Sequence, residues 1–130
     1  MQVKCFFKKI PLTILIDSGS THNFIDSQIS KQADSFVHPC SIFQVMVANG
    51  STLPCKGKCR NVCISIGDYN LRSNMFVMPL GGCDVILGTQ WLHTLGPIVW
   101  DLPELWLQFS VNGSKHTFNV LQPGSLSIIS

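Results

Sequence analysis

The chain has 130 residues, which is enough for one domain around one hydrophobic core. Charged residues make up only 12% of it and apolar residues 45%, so much of the surface is uncharged and part of it suits a partner. The net charge of +2 is too small to indicate nucleic-acid binding, and no apolar run is long enough to cross a membrane.

A β-hairpin is predicted at the start of the chain. Its strands cover residues 2–7 and 10–16, with a tight turn at Lys8-Lys9. The second strand is an apolar run, typical of a buried strand, and it leads directly into Asp17-Ser18-Gly19. Gly19 permits a sharp turn or a close approach, and the Ser18 hydroxyl can lock the turn by a local hydrogen bond. Taken alone, these three residues fit a simple turn better than an active site.

A second hairpin is predicted in the middle of the chain. Residues 42–48 alternate as a strand does, and Asn49-Gly50 directly after them is a strong hairpin signal. In the return strand over 52–66, Pro54 and Gly57 favour a projecting hairpin or a sheet edge. The other predicted elements are a helix over 27–32 capped by Asp26, a connector over 34–39, strands over 71–78, 84–87, 98–100, 105–110 and 115–121, and a helix capped by Thr89.

This series of elements defines the predicted fold class. Eight or nine short strands with one or two small helices predict an all-β fold, a closed or partly closed β-barrel with one lobe per chain. We assign residues 1–122 to this domain. We assign 123–130 to a C-terminal tail or interface strand, because its apolar residues Leu126, Ile128 and Ile129 could pair with a neighbouring segment.

The six cysteines are expected to be free thiols in a cytoplasmic protein. Lys8-Lys9 interrupt the first apolar residues, so no signal-peptide segment is recognised. Cys55, Cys59 and Cys63 are spaced by four, but the close Cys and His pairs typical of zinc sites are missing from the sequence. In a regular strand, Cys59 and Cys63 would share one face, opposite Val62 and its apolar neighbours.

Three features follow one another in order: an apolar strand with Asp-Ser-Gly, a projecting Asn-Gly hairpin, and an apolar strand that ends in Ile-Leu-Gly before a helix. Together they resemble the retropepsin-like aspartic proteases, in particular the protease domain of plant gypsy-type LTR retrotransposon polyproteins. The residues that carry the resemblance are ILIDSGSTHNFID (14–26), VMVANG (45–50), PLGGCDVILGTQWL (79–92) and TLGPIVWD (94–101). The resemblance implies a retropepsin-like barrel over nearly the whole chain.

The resemblance also implies roles for individual residues. Asp17 matches the catalytic aspartate, and the loop that supports it is formed by Ser18, Gly19 and Ser20. The Ser18 hydroxyl would tie two such loops together, and the Gly19 backbone would face the substrate. The flap that closes over a bound peptide corresponds to Ala48, Asn49, Gly50 and Ser51. The element that packs beneath the loop and at the sub-sites corresponds to Val85, Ile86, Leu87 and Gly88, which implies bulky apolar side chains beside the cut.

Aspartic protease chemistry requires two carboxyls that share one proton. One acts as a base on a water molecule and the other as an acid toward the peptide carbonyl. The chain has one Asp-Ser-Gly, and 130 residues cannot hold two such lobes. Asp84 is more typical of a loop residue that accepts backbone hydrogen bonds than of a second catalytic acid. The resemblance therefore implies a C2 homodimer with the two copies of Asp17 at its axis.

Three hypotheses follow for the function. The favoured one is a homodimeric aspartic endopeptidase of the polyprotein-maturation type, which uses water as nucleophile and needs neither metal nor cofactor. The alternative is a catalytically inactive dimerisation or peptide-binding module, or a retrotransposon relic. The third is a thiol or metal-binding protein built on Cys55, Cys59 and Cys63. Peptide cleavage, peptide binding without cleavage, and bound zinc distinguish the three.

Overall fold

In the computed structural model, which describes residues 1–46, 50 and 52–121, ten strands and two short helices follow one another along the chain. They are β1 (Gln2–Phe7), β2 (Ile10–Ile16), β3 (Phe24–Asp26), α1 (Ser27–Gln32), β4 (His38–Met46), β5 (Thr52–Ile66), β6 (Tyr69–Met78), β7 (Val85–Leu87), α2 (Thr89–Leu92), β8 (Val99–Asp101), β9 (Trp106–Val111) and β10 (Ser114–Asn119). Neither helix in this part of the chain has the length and apolar character needed to traverse a bilayer.

Six strands form a closed barrel. They are hydrogen-bonded in the order β1-β2-β7-β3-β6-β5, and the ring closes where Phe6 of β1 pairs with Ser65 of β5. Alternate residues point into the barrel, as Val3, Cys5 and Phe7 of β1 do, while their neighbours are exposed. The predicted all-β barrel is confirmed.

β4 and the first half of β5 form a hairpin at the end of this sheet. Their pairing runs from Met46 opposite Thr52 to His38 opposite Lys58. The strand begins at His38, four residues before its predicted start, and so occupies the end of the predicted connector. The hairpin therefore projects from the barrel on the side where β2 ends, since residues of both elements line one cleft.

A second, three-stranded sheet packs on the barrel. Its strands lie in the order β10-β9-β8, and its buried side chains belong to the same core as those of the barrel. The rings of Phe109 and Phe118 lie 5.9 and 6.1 Å from the ring of Trp91 in α2. After β10 the chain returns to β1, where the Leu121 N–H donates to the Gln2 carbonyl at 2.8 Å.

A bulge in β5 separates two cysteines that a regular strand would place together. The register of β5 against β6 shifts between Cys59 and Val62, where Asn61 has a φ of 52°. One extra residue in a strand reverses which side chains point inward, so Cys59 and Val62 are both buried whereas Cys63 is exposed. The prediction that Cys59 and Cys63 share a face opposite Val62 is therefore wrong.

The two helices differ in their caps. Asp26 is the N-cap of α1, as predicted, and its carboxylate accepts a hydrogen bond from the Gln28 N–H at 3.1 Å. The prediction that Thr89 caps α2 is wrong, because Gly88 is the N-cap and Thr89 is the first helical residue. This helix is a single short turn that ends at Leu92.

Candidate active site

Backbone hydrogen bonds hold the loop that carries Asp17 at the end of β2. The Asp17 N–H donates to the carbonyl of Leu87 at 3.0 Å, and the Ser20 N–H donates to the carbonyl of Asp17 at 3.1 Å. The Gly19 N–H donates to Oδ1 of the Asp17 carboxylate at 2.9 Å. Asp17 is half-buried, while Ser18 and Gly19 are exposed. Within the described residues Oδ2 accepts no hydrogen bond, so this oxygen is open to a water molecule or a second carboxyl.

Gly88 and Asn23 hold the loop that carries Asp17 against the end of β7. A Cβ on Gly88 would clash with the carbonyl oxygen of Ser20 and lie 2.7 Å from that of His22. The Gly88 N–H donates to Oδ1 of Asn23 at 2.9 Å, and Nδ2 of Asn23 donates to Oγ of Ser73 at 2.9 Å. Asn23 is fully buried, so its hydrogen bond with Gly88 is shielded from water, and its hydrogen bond with Ser73 is partly shielded. No local pattern predicts this role for Asn23, because its partners lie 65 and 50 residues away in the sequence.

The residues predicted to pack at the sub-sites divide into two groups. Val85 and Leu87 are fully buried in the barrel core, whereas Ile86 between them is half-buried and lines the cleft at Asp17. This division follows from the alternation of side chains along β7. Asp84 supports the same strand, because its Oδ2 accepts a hydrogen bond from the Thr13 N–H at 2.9 Å.

A cleft of about 620 Å³ opens above Asp17. Its size falls in the range of ligand-binding pockets. Its described walls come from the Asp17 loop, the end of β4, and the segment between β6 and β7, with Gly19, Ser20, Phe43, Val45, Leu80 and Ile86 among the lining residues. Walls that combine apolar and polar side chains around a carboxylate suit a peptide whose side chains flank the reacting bond.

Of the four residues of the predicted flap, the structure describes only Gly50. Ala48, Asn49 and Ser51 lie outside the described residues. Gly50 is exposed and has a φ of +87°, a conformation that glycine adopts readily in hairpin turns. The strands on either side, β4 and β5, are paired up to Met46 and Thr52, so Gly50 lies just beyond the end of this pairing.

His22 joins the Asp17 loop to the base of this hairpin. Its ring lies 5.2 Å from that of Phe76, 6.0 Å from that of Phe43 on β4, and 6.4 Å from that of Phe24. All three contacts are edge-to-face, an arrangement that stabilises aromatic pairs. These contacts could not be predicted from the sequence, because none of the partners of His22 follows from local spacing.

Asp17 is the one carboxylate among the described residues that line the cleft. Asp26 is engaged elsewhere: its Oδ1 accepts from the Leu80 N–H at 2.9 Å, and its Oδ2 caps α1. Asp84 is bonded to the backbone of Thr13. A second carboxyl for the cleft is therefore not available from the described part of the same chain.

Cysteine or metal chemistry receives little support from the geometry. All six cysteines are free thiols. Burial raises the pKa of the Cys83 thiol in the cleft, and the carboxylates of Asp84, Asp26 and Asp17 raise this pKa further. A raised pKa keeps the thiol protonated and weakly nucleophilic. Across residues 1–46, 50 and 52–121, no three His, Cys, Asp or Glu side chains are grouped as metal ligands would be.

Comparison with known proteins places these features in a family. Residues 1–99 match the family model described as retroviral aspartyl protease. No curated protein matches the chain. The retroviral protease-like domain of Ddi1 from Leishmania major has a similar structure, with a TM-score of 0.68 over 95% of this chain and 94% of that chain. The two sequences are 12% identical, so this likeness establishes the retropepsin-like fold alone.

Proposed function

Because this chain belongs to the retroviral aspartyl protease family, we propose that it is an aspartic endopeptidase that hydrolyses peptide bonds as a homodimer. The observation that carries the proposal is the placement of Asp17. Its carboxylate lies in an open cleft, with Oδ1 held by the Gly19 N–H and Oδ2 free of hydrogen bonds within the described residues. The likeness to retrotransposon proteases favours a polyprotein as the natural substrate.

The dimer is inferred from the number of carboxyls. The reaction needs two that share a proton, and Asp26 and Asp84 already bind backbone N–H groups. A second copy of the chain, related by a twofold axis, would bring a second Asp17 to the same cleft. Ser18 is exposed beside Asp17, where its hydroxyl could reach the loop of the partner subunit.

The chemistry then follows from the shared proton. The ionised Asp17 carboxylate takes a proton from a water molecule, whose oxygen attacks the carbonyl carbon of the substrate. The protonated Asp17 of the second subunit donates its proton to the carbonyl oxygen, which yields a tetrahedral gem-diol. When the C–N bond breaks, the leaving nitrogen receives a proton and a carboxylic acid remains. Water is consumed, and no cofactor takes part.

Peptide cleavage by the purified chain tests this proposal. We expect cleavage of peptides with bulky apolar residues at the cut, and inhibition by statine-type mimics of the tetrahedral intermediate. Replacing Asp17 by Asn removes the acid–base group, so kcat should fall by about 10²–10⁴-fold. Turnover at the wild-type rate by Asp17→Asn protein would contradict the proposal.

Asp34→Asn provides the matched control. It removes the same charge at an exposed position outside the described lining of the cleft. Asp34 has a φ of 52°, which asparagine also tolerates, so the fold should be kept. We expect unchanged kcat in this variant. Peptide binding by the wild type without any cleavage would favour the inactive binding module instead.

A further inference from the structure

A second cavity lies next to the Asp17 cleft. It has a volume of about 430 Å³ and shares Thr21 and His22 with the cleft as a common wall. His22 contacts three phenylalanine rings, which support its side of this wall. Because the two cavities share this wall, a side chain of an extended peptide in the cleft can be directed into the second cavity.

The polar lining of this cavity consists largely of hydrogen-bond donors. Oδ1 of Asn74 accepts from the Asn61 N–H at 3.0 Å, and Oε1 of Gln90 accepts from the Asn23 N–H at 3.4 Å. Asn74 and Gln90 both line the cavity. A backbone donor already occupies one lone pair of each amide oxygen, whereas the NH₂ groups of the two side chains can donate to a ligand.

Lys58 adds a positive charge to these donors. It is half-buried on β5, opposite Phe76, and the described residues provide no carboxylate partner for its ammonium group. No acidic residue occurs in the described lining of the cavity. An ionised carboxylate only accepts hydrogen bonds and carries the opposite charge, so it complements this lining.

We propose that this cavity binds the carboxylate of a glutamate or aspartate in the substrate peptide, with Lys58 as a specificity-determining residue. The inference rests on the proposed function for the peptide, yet binding of the carboxylate can be measured without cleavage. In a homodimer with twofold symmetry the cavity would occur at both ends of the shared cleft. An acidic residue could then be recognised on either side of the cut.

Two peptide series test this inference. Both have a central pair of apolar residues, and one glutamate, or a glutamine in its place, is moved along the flanking positions. Binding is measured by fluorescence anisotropy with Asp17→Asn protein, and cleavage is measured with the wild type. At one or more positions we expect the glutamate peptide to bind about threefold to fivefold more tightly than the glutamine peptide, as for a partly exposed ion pair. We expect kcat/KM to favour it by a similar factor.

Charge reversal provides the decisive variant. In Lys58→Glu protein, a lysine peptide should bind more tightly than the glutamate peptide, a gain that a misfolded protein could not show. The control is Arg60→Glu, which reverses an exposed charge on the same strand, outside the described lining of both cavities. It should keep the preference for glutamate.

The outcomes separate this inference from the proposed function. Equal binding of glutamate and glutamine peptides at every position, or a glutamate preference that survives Lys58→Glu, would overturn the inference. Tight, glutamate-dependent binding without any cleavage would support the inference and overturn only the protease activity.

Discussion

Gly88 leaves no room for a side chain beneath the Asp17 loop. A Cβ there would clash with the carbonyl of Ser20 and crowd that of His22, and both atoms belong to the backbone. We expect Gly88→Ala to lower the free energy of unfolding by about 1–3 kcal/mol, the usual cost of overpacking. We also expect kcat to fall, because any relief of the clash moves the loop that holds Asp17. Urea denaturation and peptide cleavage measure the two effects.

Gly82→Ala is the control for this variant. A Cβ on Gly82 would meet no atom within 4 Å, and Gly82 is not among the glycines with positive φ. The free energy of unfolding should therefore stay the same or rise slightly. If Gly88→Ala were as stable as Gly82→Ala, the loop would not pack on β7 as the structure has it.

At the same scale, local pattern sets the limit of what could be predicted. The strand that leads to Asp17 was predicted because its signal, an apolar run before a short turn sequence, lies within a few neighbouring residues, and the catalytic role of Asp17 was predicted from the resemblance that this segment shares with the later blocks. Asn23 was missed because its buried amide binds Gly88 and Ser73, and both become neighbours only in the folded barrel. An asparagine in sequence looks like an ordinary turn residue.

At the scale of elements, the bulge in β5 makes a prediction about thiol reactivity. Cys63 is exposed, whereas Cys59 is buried on the other side of the irregularity. We expect iodoacetamide to modify Cys63 rapidly in the native protein and Cys59 only after unfolding in urea. Mass spectrometry of tryptic peptides at successive times measures both rates. Equal rates would indicate a regular strand, with both thiols on one face.

Cys5 provides a buried control thiol for this labelling experiment. It is buried in β1, and burial together with the nearby Asp84 carboxylate raises the pKa of its thiol to about 12. It should react as slowly as Cys59 in the native state. The bulge itself could not be predicted from the sequence. It is marked only by the backbone of Asn61, which adopts a left-handed conformation within an otherwise alternating strand.

At the scale of the whole molecule, the class of fold was predictable, but the strand pairing that closes the barrel was not. Alternation and turn residues define individual strands and hairpins, which is why β1, β2 and the β4–β5 pair were foreseen. The pairing of Phe6 with Ser65, which closes the barrel, joins residues far apart in the sequence. The same holds for the second sheet, whose Phe109 and Phe118 complete the core around Trp91. Such contacts depend on the assembled shape.

The proposed dimer is a property of two molecules, and mixing subunits tests the proposal. If each active site needs one Asp17 from each of two chains, a heterodimer of wild-type and Asp17→Asn subunits has only one catalytic carboxyl. After subunit exchange, a ninefold excess of Asp17→Asn protein should lower the wild-type rate to about a tenth, because random pairing leaves few wild-type homodimers. The initial rate of peptide cleavage at fixed wild-type concentration measures this. Adding the same excess of Asp34→Asn protein should raise the rate instead, since those subunits keep Asp17. An unchanged rate with Asp17→Asn protein in exchanging subunits would mean that one chain suffices.

Specific activity should also increase with protein concentration until dimers predominate, and a monomeric enzyme would show no such increase.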